Sequence, residues 1–166
     1  MIKTLKTLFL RDLREGFQQD SKAWFTIYFF LLCLLIFPLS IGVLDNVLGK
    51  ISVSAIWIST LFSNLLALES MYKEDYEDGT LEQYVATGIS LKYVVFSKCL
   101  NHWIFSGFPI IVLAPFCLYI YDPESINNSR IIISLALGTP LLTLIGSPIA
   151  ALTLGHSLRG PFLAFL

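Results

Sequence analysis

His102 and His156 are the chain's two imidazoles, and both stand inside long uncharged apolar stretches. An imidazole in such a place can bond neighbouring backbone or water as an interfacial residue. It can also contact a partner, respond to protons, or ligate a metal or haem iron. Hydrolytic chemistry lacks its parts: there is no Ser-His-Asp constellation, no H-E-x-x-H string and no paired carboxylates within the apolar stretches. Gly49-Lys50 evokes a phosphate loop, but Leu44 stands where the first glycine belongs and Ile51 where Ser or Thr must follow. The chain therefore has no phosphate loop of its own for ATP, and no catalytic residue or metal site is assigned. Cys33, Cys99 and Cys117 show no C-x-x-C spacing and read as small apolar membrane residues.

The other chemically dense stretch is the polar interval from Glu69 to Lys98, which holds 6 of the 12 acidic residues. Within it, Thr80-Leu81-Glu82-Gln83 has the spacing of a capping box, in which the Thr hydroxyl and the Gln side chain each satisfy an orphan backbone donor. Gly79 before it and Gly88 after it delimit a predicted helix of about two turns, from Leu81 to Thr87. A flexible connector requires none of these devices. The segment Glu77, Asp78, Gly79, Thr80, Leu81, Glu82, Gln83 and Tyr84 is expected to form a docking surface for a partner outside the membrane, a solvated connector being the alternative.

The elements that hold these residues are set by composition. At 55% hydrophobic and 14% charged, with mean hydropathy +0.73, the 166-residue chain reads as a single membrane domain. Uncharged runs from Ala23 to Leu44, Ile51 to Leu68, Cys99 to Tyr121 and Ile131 to Leu158 each reach the ~18–20 residues that cross about 30 Å of hydrocarbon as a helix. Four spans are expected, at about 23–44, 51–68, 99–121 and 131–158, joined by a long loop at 69–98. Lys and Arg number 9 on the side of the N-terminus, this loop and the C-terminus, against 2 on the other. The positive-inside rule puts that side in the cytoplasm. Residues 2–20 place Leu5, Leu8, Phe9, Leu13 and Phe17 opposite Lys3, Arg11, Arg14, Glu15 and Gln18, the pattern of an amphipathic helix lying in the membrane interface.

Trp24 and Trp103 are expected in an interfacial aromatic belt, and the second span is expected to continue past Glu69 on a stripe of Leu68, Met71, Tyr72 and Tyr76. Ser90 should cap the helix that leads back into the membrane. Pro109 and Pro115 in the third span, and Pro140 and Pro148 in the fourth, should kink or break their helices and leave carbonyls for neighbours to satisfy. Ser147, Ala151 and Gly155 recur as a small-residue stripe for close helix contact. His102, Trp103, Pro140 and Pro148 are the candidate functional residues inside the membrane. Residues from Gly160 to Leu166 read as the opening of a fifth apolar segment, and hence as a membrane domain cut short.

Several strings together resemble the haem exporter protein B (CcmB) family, the membrane subunit of an ATP-binding-cassette (ABC) transporter of cytochrome c maturation. They are Phe37-Pro38-Leu39-Ser40-Ile41-Gly42, Asp75 to Gln83, Lys98 to Trp103, Leu137-Gly138-Thr139-Pro140 and Gly146 to Gly155. The resemblance implies an all-α integral membrane protein, an ABC-2-type permease-like helical bundle, in which family members have six spans where this chain shows four and the start of a fifth. It implies a bacterial inner membrane, ahead of a mitochondrial one, and a cytoplasmic ATPase subunit that binds the ATP and docks on Glu77 to Tyr84. The remaining partners it implies are a haem-handling membrane protein, a small membrane subunit, membrane lipid and, indirectly, the periplasmic haem chaperone whose haem-loaded form is released by ATP hydrolysis. Nucleic acid is not among them. Haem is handled by the complex, with no cofactor assigned to this chain, and no haem ligand is carried onto His102 or His156. A non-transporting scaffold for haem-handling proteins and a permease for another substrate are the alternative readings.

Overall fold

The structure is a computed structural model that describes residues 2–18, 20–41, 45–122 and 129–154. Helix α1 spans Ile2–Gln18, α2 Asp20–Ile41, α3 Asp45–Glu69, α4 Lys73–Glu77 and α5 Thr80–Ala86. Helix α6 runs Leu91–His102 and passes through a π-helical segment, Trp103–Gly107, into α7, Phe108–Tyr121; α8 is Ser129–Leu152. No strand occurs among the described residues. Three helical stretches, Val47–Glu77, Leu91–Tyr121 and Ser129–Leu152, are long and apolar enough to cross a membrane, and Trp24–Ser40 is a shorter apolar stretch. Leu35, Val112, Phe116, Ile120, Leu137, Leu141 and Leu144 point outward. A water-facing surface rarely carries such a patch, whereas lipid solvates it. This is an all-α membrane protein.

Helix α3 is the centre, packed against α2, α7 and α8. Its inward face is small and polar, with Ser52, Ser59, Thr60, Ser63 and Asn64 all buried. In lipid there is no hydrophobic drive between helices, so small residues that allow close approach are favoured at contacts. The Thr60 and Ser63 hydroxyls donate back to the carbonyls of Ile56 and Ser59, at 2.7 and 2.8 Å, whereas the buried Ser59 hydroxyl has no partner. The apolar core gathers Phe30 and Leu34 of α2, Ala55 and Ile56 of α3, Ile110, Ala114, Cys117 and Leu118 of α7, and Ile131 and Leu135 of α8.

The prolines meet the expectation in the third span and not in the fourth. Pro109 has no N–H and its ring crowds the preceding turn. The helix answers with the π-helical segment just upstream, and α7 begins with Pro109 in its first turn. Pro38 likewise frees the Leu34 carbonyl inside α2, and the Tyr121 hydroxyl of α7 donates to it. Pro140 and Pro148 lie within a helix that is assigned without interruption from Ser129 to Leu152.

Four further expectations are corrected. Helix α3 ends at Glu69 in a tight turn at Ser70–Tyr72 before α4, and Tyr76 is exposed, so the proposed stripe stops at Tyr72. The capping box is not formed: Gly79, at φ +71°, is the N-cap, Thr80 already lies in the helix, and no side chain caps its end. The left-handed glycine turns the chain so sharply that the Thr80 hydroxyl sits one position too late to reach the orphan donors. Ser90 occupies the N-cap of α6, but its side chain makes no capping bond. Trp103 turns inward, its indole N–H donating to Thr139 at 2.9 Å, while Trp24 is exposed.

The small-residue stripe is also displaced. Ala151 is exposed, and the contact face of α8 runs instead through Thr139, Thr143, Gly146 and Ser147. A Cβ on Gly146 would lie 2.2 Å from Leu68, and one on Gly138 would lie 2.2 Å from Trp57. Gly155, His156, Arg159 and the segment from Gly160 lie outside the described residues.

Candidate functional site

The polar interval folds into α4, α5 and the start of α6. Gly79 and Gly88, both at φ +71° with open space about them, reverse the chain on either side of α5. A side chain at that φ is strained, which is why glycine serves at both corners. On α5, Glu82, Gln83, Val85 and Ala86 are exposed, as are Glu77 and Asp78 in the turn before it, while Leu81 and Thr80 are half-buried. Tyr84 points the other way: it is buried with Leu8 of α1 and Val94 of α6, so it anchors α5 rather than lying on its exposed face. Its hydroxyl has no hydrogen-bond partner, and burial pushes its pKa up to about 12.

Beside Tyr84 lies a buried charge cluster that ties α1, α4 and α6 together. Lys98 Nζ sits 2.7 Å from Asp75 Oδ2 and 3.6 Å from Asp12 Oδ1. Arg11 Nη2 lies 2.8 Å from Asp12 and 3.4 Å from Asp75, and its guanidinium carbon lies 5.4 Å from the centre of the Tyr84 ring. The Ser97 hydroxyl donates to Asp12 Oδ2 at 2.8 Å. The two carboxylate side chains are 5% and 6% exposed, so each depends on the two cations for its charge. In the sequence Asp12 appears beside the apolar arc of α1. The structure puts it on the buried face with Leu8, so α1 is packed on α6 through a charge as well as through apolar side chains. An acid among apolar helix positions was the one available signal, and its partners, 63 and 86 positions away (Asp75 and Lys98), carried none.

A polar ladder runs up α8 at every fourth residue. Thr139 accepts from Trp103, Thr143 meets His102 Nδ1 at 3.2 Å, and Ser147 shares a 2.6 Å hydrogen bond with Tyr72. The Thr143 and Ser106 hydroxyls donate to the carbonyls of Thr139 and His102, at 3.1 and 2.8 Å. The Thr143 and Ser106 hydroxyl oxygens each lie 3.2 Å from His102 Nδ1, so this nitrogen is held between α8 and the π-helical segment. His102 Nε2 is buried and has no hydrogen-bond partner. Of the four membrane residues singled out, His102 and Trp103 join this ladder, whereas Pro140 is half-buried beside it and Pro148 faces outward.

Between α1, α2, the end of α3, α4 and α6 opens a cavity of about 480 Å³. Its wall includes Asp12, Lys98, Asn101 and His102, so cluster and ladder meet there. Gly16 of α1 closes one side against the Phe105 ring, where a Cβ would lie 2.4 Å from the ring edge. Among the described residues, no group of three or more His, Cys, Asp or Glu is placed to hold a metal ion.

The profile of the CcmB protein family matches residues 3–166. Heme exporter protein B of Pseudomonas aeruginosa is 32% identical over all of this chain and 74% of its own length. Heme exporter protein B of Escherichia coli K12 is 35% identical over 96% of this chain and 72% of its own, and that of Haemophilus influenzae 33% over 94% and 71%. A match that runs through α1, α5 and the polar ladder of α8 alike, at nearly the full length of the chain, shows that this chain belongs to the CcmB family.

Proposed function

We propose that this protein is the membrane subunit of an ABC-type transporter in cytochrome c maturation, and that a cytoplasmic ATPase docks on the segment from Glu77 to Tyr84. The family supports a transporter component rather than an enzyme, and the relatives' name, heme exporter protein B, supports haem as what the complex handles. The observation that carries the docking reading is the two-sidedness of α5. Its exposed face offers Glu82, Gln83 and Val85, while Tyr84 and Leu81 are packed on α1 and α6. A load applied to the exposed face passes through Tyr84 to Arg11, and through the charge cluster to α4 and α6, into the walls of the cavity.

In this reading the N-terminus, the docking segment and the C-terminal side face the cytoplasm of a bacterial cell, and residues 1–166 belong to one membrane domain. ATP is bound by the ATPase. The product of coupling is release of the haem-loaded periplasmic chaperone from a complex with a haem-handling membrane protein and a small membrane subunit. Glu82→Lys with Val85→Asp tests the docking face without touching the anchor. The variant is expected to insert into the membrane normally, to lose co-purification of the ATPase and to stall chaperone release. ATPase recovery equal to wild type would remove α5 from the interface.

A further inference from the structure

Helix α5 keeps one face without a partner. Val85 is 66% exposed, and Glu82, Gln83 and Ala86 are exposed around it, while Tyr84 turns inward. Glu82 and Val85, three positions apart, are neighbours on the same side of the helix. Asp78 and Tyr76, which lead into α5, are exposed as well. An apolar side chain held out of the bundle beside carboxylates has three possible covers: lipid, a second copy of this chain, or a different protein.

Charge decides among them. From Glu69 to Ser90 the chain carries six carboxylates and one cation, Lys73. Lys73 lies 4.0 Å from Glu77 in an exposed pair, and Asp75 is buried with Lys98 and Arg11. The cluster beneath Tyr84 sets Arg11 and Lys98 against Asp12 and Asp75, two charges against two, so it adds no net charge to the face above it. Asp78 and Glu82 stand exposed with no ion pair among the described residues. The field around Val85 is therefore negative.

The cytoplasmic leaflet carries the same sign and repels such a face. Helices that lie on membranes have Lys and Arg on their polar side, and α5, with the sequence TLEQYVA, has neither. A second copy meeting this face across a two-fold axis would set Asp78 and Glu82 against themselves. A different protein whose cations surround an apolar seat satisfies both features at once.

We propose that the surface receiving α5 is a basic groove with an apolar floor, its Lys or Arg side chains meeting Asp78 and Glu82 and its floor taking Val85. This rests on the docking of the ATPase proposed above and adds to it the chemistry of the receiving surface. Charges and the apolar contact then divide the kinetics. Opposite charges speed encounter and are screened by salt, whereas the seated side chain slows departure.

The full chain in phosphatidylcholine nanodiscs is immobilised, and binding of the purified ATPase subunit is followed by biolayer interferometry. The association rate constant is expected to fall about tenfold between about 50 and about 500 mM NaCl, with dissociation nearly unchanged. Asp78→Lys with Glu82→Lys, both at exposed positions, should slow association about tenfold at the lower salt and flatten its salt dependence. Val85→Ser should instead speed dissociation about tenfold and keep the salt dependence. Association that ignores salt, or that the double charge reversal leaves unchanged while Val85→Ser still weakens binding, would overturn the basic groove and leave docking on α5 standing. No binding by wild type, or binding untouched by all three substitutions, would overturn the docking itself and the groove with it. Amide hydrogen exchange of residues 77–88 without the ATPase tests lipid as the cover, and equal exchange in phosphatidylcholine and phosphatidylglycerol nanodiscs is expected. Protection gained in phosphatidylglycerol would overturn the proposal, as would chains that pair in detergent and separate on Val85→Ser.

Discussion

Tyr84 carries more of the site than its place in a polar loop implies. Its burial holds the phenol neutral up to about 12, against an ordinary value of 10.0. Between those values the unfolded chain has lost a proton that the folded chain keeps, so the stability from this residue is whole below pH 10 and falls as pH rises through that window. Thermal unfolding of wild type and Tyr84→Phe across pH 8 to 11 should show a steeper alkaline decline in wild type. At pH 8 the variant should gain about 1 kcal/mol from deleting an unpartnered buried hydroxyl. Parallel pH curves would contradict the burial. Lys98 is the opposite case, since Lys98→Met leaves Asp12 and Asp75 with Arg11 alone. A loss of about 3 kcal/mol is expected in detergent melts, partly recovered by adding Asp75→Asn, because breaking a buried pair strands the remaining charge. A melt unchanged by Lys98→Met would mean that the cluster is hydrated in solution.

At the scale of elements, the prolines and the polar ladder explain how apolar helices with broken backbone bonds hold together without water. Pro38 exposes a carbonyl and Tyr121, on another helix, supplies the donor. The pair predicts a non-additive cycle: Tyr121→Phe costs about 1–2 kcal/mol in wild type and close to nothing in Pro38→Ala, where the restored N–H reaches Leu34 within its own helix. Equal costs in both backgrounds would show that the hydroxyl bond is incidental. The same logic accounts for the π-helical segment ahead of Pro109. That proline would disturb the third span was legible from composition. Whether it would kink, split or widen the helix depended on Ser106, His102 and Thr143, which stabilise the widened turn with side-chain bonds.

At the scale of the molecule, α5, the charge cluster and the cavity lie in series toward the bundle. The docking proposed for α5 requires one topology. Alkaline phosphatase fused after Gly88 should be inactive and fused after Gly49 active, since only the latter is expected to reach the periplasm. Activity after Gly88 would invert the molecule and place the docking segment where no ATP is present.

The amino-acid sequence by itself determined that the chain is helical and membrane-bound, where its long apolar runs lie and which glycines bound α5. These follow from run length, charge and backbone freedom, all of them local. It did not determine that Tyr84 faces inward, that Asp12 belongs to a buried cluster with Asp75 and Lys98, or that His102 has one nitrogen held and the other unpaired. Those depend on which helix comes to lie beside which. In lipid that choice is made by small polar faces and distant hydrogen-bond partners, whose pairing leaves no periodic trace along the chain.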